Sequence, residues 1–138
     1  MTEEEEEQAY KQVERLGFII DTEKNQAEPV FFRACLESYY SLLNVDLIDI
    51  REGMLEGHFF DFIVDDEGLL KEDPKASIFD KEGKPLLVGN VLICHNDPET
   101  GREYELTKED ISLLLRHVCQ VTDTKTGKTW KGLHGLEM

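Results

Sequence analysis

Apolar residues recur along this chain in two periods, and the period switches mark its elements. Ile111, Leu114, Leu115 and Val118 stand at i, i+3, i+4 and i+7, the stripe of an amphipathic helix. Thr107 and Asp110 ahead of them form an N-cap pair, so the helix runs to His117 or Val118. Leu36, Tyr39, Tyr40 and Leu43 repeat at the same spacing and predict a helix over 34–43. Thr2 with Glu5 is a capping-box pattern, and a helix from Glu3 to Leu16, ending at Gly17, follows. Its apolar positions (Ala9, Tyr10, Val13, Leu16) are sparse, which predicts a helix lying loosely on the surface.

Other segments alternate with period two or are continuously apolar. Phe18–Ile20, Val30–Phe32 and Val45–Ile50 read as short strands. His58–Val64 reads as a longer one, with Phe60, Phe62 and Val64 on one face and Asp61 opposite. Leu86–Cys94, interrupted by Gly89, predicts a buried central strand. Gln120–Thr122 and Thr129–Lys131 flank a turn and predict a hairpin. Strands separated by turns, with about three helices, give a single α+β domain with a mostly antiparallel sheet. Its parts are an acidic N-terminal helix (1–16), a core domain (17–119) and a C-terminal hairpin or tail (120–138).

Charge changes the picture more than composition does. The formal net charge is −15, and the run Glu3–Glu7 supplies a third of it. A field of that sign opposes direct binding to nucleic acid or to anionic membranes and favours a protein partner with a basic surface. No apolar run approaches the ~18 residues of a membrane span. The start MTEEEEEQ lacks the basic and apolar segments of a signal peptide. Together with three cysteines in no tight spacing (Cys35, Cys94, Cys119), this predicts a cytoplasmic protein with reduced thiols.

The candidate chemistry concentrates in DFIVDDEGLLKEDP, Asp61–Pro74. Asp65-Asp66-Glu67-Gly68 is echoed by Asp80-Lys81-Glu82-Gly83, and Asp97–Gly101 and Asp123–Gly127 follow the same pattern. An aspartate accepts from amides two residues on, and glycine supplies a positive φ at the turn's exit. The segment therefore reads first as a hairpin turn joining two buried runs. A calcium loop with its glycine at Gly68 would begin at Ile63 and end at Pro74, and neither end carries a ligand. Asp61 and Asp65 share a strand face and, with Glu67, leave one hard-cation arrangement to test.

Three further motifs resolve into structural readings. Thr126-Gly127-Lys128-Thr129 lacks the first glycine and the following helix of a phosphate loop. Cys94 and His95 alternate across a strand, so a zinc site is not built there, and buried cysteines with solvent-facing histidines are expected at 94–95 and 117–119. Trp130, between Lys128 and Lys131 in the locally basic patch with Lys125, is either a contact residue or a tryptophan packed on the sheet.

Five phrases stand in a characteristic order: YYSLLN (39–44), IDI (48–50), DDEGLLKEDP (65–74), GKPLLVGN (83–90) and LTKEDI (106–111). In this the chain resembles a family of small bacterial, phage and plasmid proteins classed as a domain of unknown function, DUF3846, over about Gly17 to Val118. The resemblance implies an accessory gene of a mobile element, a setting in which small acidic proteins inhibit host defence or replication machinery. It carries over no catalytic residues.

The first functional expectation is a non-enzymatic interaction protein that binds and inhibits or titrates a host partner, as a counter-defence inhibitor or DNA mimic would. Its contact residues would be Asp61, Asp65, Asp66, Glu67, Lys128 and Trp130. The alternatives are a nucleotide-type ligand module beside Gly89 and the side bearing Arg116, Lys125, Lys128 and Lys131, and a metal-assisted enzyme using Asp61, Asp65, Asp66 or Glu67. No catalytic residue, metal ligand or cofactor is assigned.

Overall fold

A computed structural model describes residues Met1–Met138. The chain begins with α1 (Glu3–Gln12), capped by Thr2, whose side chain accepts from the Glu5 amide. The four glutamates of its first turn suit the positive end of the helix dipole. The helix ends four residues earlier than the periodicity predicts, because β1 (Glu14–Asp21) already pairs from Glu14 with Arg33 of β2 (Gln26–Arg33). Pairing along a whole strand outweighs the weak helical preference of Glu14-Arg15-Leu16. Arg15 is buried, its guanidinium 4.1 Å from the Tyr10 ring centroid and 5.1 Å from that of Tyr104.

After β2 come α2 (Leu36–Leu43), β3 (Ile48–Leu55) and β4 (His58–Asp65). Then follow a short 3-10 turn (Gly68–Leu70), β5 (Ala76–Phe79), β6 (Pro85–Val88), β7 (Val91–Asn96) and β8 (Glu103–Tyr104). Helix α3 (Lys108–Arg116) and the hairpin β9 (Val118–Thr122) and β10 (Thr129–Leu133) complete the chain. The fold is α+β with three helices and two sheets. The first sheet has the order β2-β1-β7-β4-β3, with β8 added at the end of β7. The second has the order β6-β5-β10-β9, antiparallel except where β10 lies parallel to β5.

The alternation in β4 decides what lies on either side of the first sheet. Phe60, Phe62 and Val64 face the second sheet and α3, where Ile78, Leu87, Leu114, Leu133 and Leu136 complete the larger core. Ile63 faces the other way, with Leu92, Cys94, Tyr39 and Leu43 under α2. Layers of α2, first sheet, and second sheet with α3 result. The C-terminal hairpin is built into this plan, since Trp130, Leu133 and Leu136 are all buried.

The predicted single strand Leu86–Cys94 divides into β6 and β7, which belong to different sheets. Gly89 takes φ +87°, a region open to glycine, and its amide donates to the Lys75 carbonyl at 2.8 Å. Asn90 then ties three segments together. Its Oδ1 accepts from the Thr22 amide at 2.9 Å, and its Nδ2 donates to the Leu43 carbonyl at 3.0 Å. The change of sheet happens at these two residues.

Helix α3 carries the full reciprocal capping box read from Thr107 and Asp110. The Asp110 carboxylate also meets His95 Nε2 at 2.6 Å, and the His95 ring stacks on Phe60 with centroids 5.2 Å apart. His117 packs against His134 and is bonded to its carbonyl. Neither histidine is therefore solvent-facing as alternation alone suggested, because α3 and the C-terminal segment close over that face. Cys94 is fully buried, as expected, whereas Cys119 is only partly so.

Candidate functional site

Four of the five aspartate corners close hairpins. At Asp21, Asp80, Asp97 and Asp123, Oδ1 accepts the amide two residues on, at 2.9–3.0 Å. Gly83, Gly101 and Gly127 all have positive φ where the chain turns back. Asp65 begins in the same way, accepting the Glu67 amide at 2.9 Å. It does not close a hairpin: β4 lies in the first sheet and the next strand, β5, in the second. The segment is a crossover between sheets. The run after it is not buried either, with Leu69 76% and Leu70 83% exposed.

Gly68 serves close approach here rather than turning. Its φ is not positive, and a Cβ at that position would lie 2.8 Å from the Val88 carbonyl oxygen. The crossover is pinned at a second point by the Asp66 amide, which donates to the Leu47 carbonyl at 3.1 Å.

Between this crossover and β6 lies a cleft of about 430 Å³. Its polar wall is Asp49, Arg51, Asp65 and Asp66, and its apolar wall is Leu69 with Pro85–Val88. Asp49 is tied to Arg51 at 2.6 Å, and that bond holds its carboxyl below the usual carboxylate range. The Asp65 side chain is buried. The Lys71 ammonium lies 3.0 Å from Asp65 Oδ2, but off the direction of a hydrogen bond, so this oxygen has an ionic neighbour and no donor. Asp66 and Glu67 are exposed and paired with no cation. The crossover ends at Asp73, whose carboxylate meets both Lys75 and Lys128 at 3.4 and 3.5 Å.

The six contact residues read from the sequence are only partly brought together. Asp65, Asp66 and Glu67 stand on the crossover, and Lys128 reaches its far end through Asp73. Asp61 lies four residues back along β4, roughly 13 Å away at the rise of a strand. It is buried, and Asn96 donates to its Oδ2 at 3.1 Å. Burial pushes its pKa above the usual carboxylate value, against the Asn96 bond, and Glu52 adds repulsion. Trp130 is 6% exposed, and its indole donates to the Ala76 carbonyl at 2.8 Å. No three of the His, Cys, Asp and Glu side chains are grouped as metal ligands would be. Asp49, Arg51 and the β6 wall escaped the sequence reading, since nothing local places β3 and β6 beside the crossover.

A second cleft, of about 510 Å³, opens between α1, the start of α2 and β8. Lys11, Arg33, Glu37 and Glu103 line it, with Tyr39 among its walls. Helix α1 is held over it by the Tyr10 hydroxyl, which donates to the Glu103 carbonyl at 2.6 Å, and by the Arg102–Glu7 ion pair. No sequence motif marked this place, because its walls come from three distant segments.

No helix is long and apolar enough to cross a membrane. No curated protein and no solved structure matches the chain. The family model described as "Domain of unknown function (DUF3846)" matches residues 15–119, and the chain belongs to that family.

Proposed function

We propose that this member of the family is a non-enzymatic interaction protein whose crossover docks a partner of basic surface. One observation carries the reading: Leu69, which lines the acidic cleft with Asp66, and the next residue Leu70 both stand in solvent, in a segment that also carries Glu67, Glu72 and Asp73. Adjacent exposed leucines form a small apolar patch, and covering it with a partner removes that apolar surface from water. An apolar centre with a charged rim is the anatomy of a protein contact. The acidic rim selects a partner carrying lysine and arginine and speeds their encounter.

The excess of acid is left over after the fold has used what it needs. Lys11, Arg51, Lys71, Lys75, Lys81, Arg102, Arg116 and Lys128 each lie within ion-pair distance of a carboxylate. The surface field that remains is negative. Helix α1 contributes to that field through exposed glutamates but buries no residue. It steers a partner, whereas the crossover supplies the anchors. Inhibition or titration of a host factor is the consequence of such docking where the partner's basic groove is its own working surface.

Affinity capture from host extract tests this, comparing wild type with the Leu69→Ser/Leu70→Ser variant at about 50 mM and about 300 mM salt. A partner held at low salt, released at high salt and by competing DNA, and lost in the variant supports the proposal. A partner captured equally by both proteins, or insensitive to salt, contradicts it.

A further inference from the structure

Helix α1 lies where the arginines of this acidic chain gather. Of its five arginines, Arg15 and Arg102 touch the helix, and Arg33 lines the cleft beside Gln8, Lys11 and Gln12. Arg15 is 7% exposed, forms no ion pair, and its Nε has no hydrogen-bond partner. A buried guanidinium without a carboxylate is costly. Only aromatic faces offset that cost here, and the nearer of the two, Tyr10, belongs to α1. On a protein of net charge −15, this is a surface to which an acidic segment is drawn.

The acidic segment that sits there is weakly fixed. Helix α1 buries no residue, and Glu7 and Tyr10, one turn apart, anchor it. Glu7 pairs with Arg102. The Tyr10 ring has the Arg15 guanidinium 4.1 Å and the Arg102 guanidinium 4.7 Å from its centroid, and its hydroxyl donates to the Glu103 carbonyl. Val13 alone, in extended conformation, joins the helix to β1. A ten-residue helix has little stability of its own, and one that buries nothing opens locally at low cost. The family match spans residues 15–119, so the three arginines belong to the family domain and α1 lies outside it.

We propose that α1 is a displaceable self-ligand, covering a site on the family domain that takes an acidic helix of a partner. The partner helix presents a carboxylate to Arg102 and, one turn on, an aromatic ring to Arg15. This surface is apart from the crossover and takes the opposite charge, so either proposal can fail alone.

The probe is a labelled synthetic peptide of residues 1–13, titrated by fluorescence anisotropy against the full chain. The Glu7→Gln/Tyr10→Ala variant, whose own helix has lost both anchors, binds it at least tenfold more tightly than wild type does. Adding Arg102→Ala to that variant weakens binding tenfold or more. A scrambled peptide of the same composition, and duplex DNA, each bind at least tenfold more weakly than the native peptide. In wild type, a millimolar excess of unlabelled peptide, needed against an intramolecular competitor, moves the amide resonances of Glu3–Gln12 towards coil values. That arm uses the wild-type chain, so it decides the matter if the variant fails to fold. The proposal is overturned if the variant binds no better than wild type or if Arg102→Ala has no effect. Equal binding of the scrambled peptide or of DNA, or wild-type α1 resonances that stay in place under excess peptide, overturns it as well.

Discussion

At Asp65 and at Asp80 a buried stretch of strand ends in an aspartate, with a glycine three residues on. Both aspartates accept the amide two residues on at 2.9 Å. Beyond that bond the two corners diverge. Asp80 accepts a second amide, from Lys84 at 2.8 Å, and Gly83 at φ +81° turns the chain into the hairpin β5–β6. Asp65 makes one such bond, Gly68 packs against the Val88 carbonyl, and the chain leaves for the other sheet. The same short phrase therefore fixes the first turn only. The next strand's partner decides whether the corner is a closed hairpin or an exposed crossover with leucines on its outside.

The glycines separate the two corners most strongly. Gly68→Ala drives a Cβ to within 2.8 Å of backbone oxygen, a packing conflict expected to cost about 2–3 kcal/mol. Gly83→Ala meets no atom within 4 Å and suffers only its positive φ, about 1 kcal/mol. Urea denaturation of both gives the order, and a larger loss at Gly83 would break the distinction. The aspartates come next. Asp80→Ala forfeits two amide bonds, at about 1 kcal/mol. At Asp65 the Asn variant, which keeps an acceptor for the Glu67 amide, should lose less than half of what the Ala variant loses. Equal losses would mean that the half-exposed Lys71 ion pair, and not the amide bond, holds the crossover.

Replacing Leu69 and Leu70 by serine should move stability by no more than about 0.5 kcal/mol, since neither packs in the core. A loss of several times that would show the leucines to be structural. The smallest effect concerns pH. At the Asp123 corner, the Lys125 amide bond chiefly holds the carboxyl below its ordinary pKa. Its contribution is complete above the unfolded aspartate value of about 3.9 and is lost as pH falls through the lower folded pKa. Acid titration of Asp123→Asn against wild type should therefore show a stability difference that narrows below that value. A difference independent of pH would remove the carboxylate from the account of the corner.

Much of the architecture was legible because it rests on local period. The α3 capping box, the facing of β4 and the hairpin carrying Trp130 follow from residues near one another. The stripe read on α3 holds only in part: Leu113 and Leu114 are buried, Leu115 is exposed, and Val118 already belongs to β9. Where a long-range partner decides, the local signal misleads. Leu86–Cys94 is apolar on both sides of Gly89, and only the bonds of Asn90 to Thr22 and Leu43 reveal why it changes sheet. The start of β1 is hidden for the same reason, as Glu14 is extended by pairing with Arg33. The acidic half of the candidate site was visible in Asp65-Asp66-Glu67. Its other walls, from β3 and β6, and the whole Tyr39 cleft depend on segments far apart in the chain.

The central claim is that the crossover, and not the denser acid run of α1, is where a basic partner docks. Amide chemical-shift mapping with a synthetic peptide alternating lysine and leucine tests it directly. The account predicts perturbations at Asp49, Asp65–Leu70 and Leu86–Val88 that fade with added salt and vanish in the Leu69→Ser/Leu70→Ser variant. Perturbations confined to Glu3–Glu7, or unchanged in that variant, would contradict it.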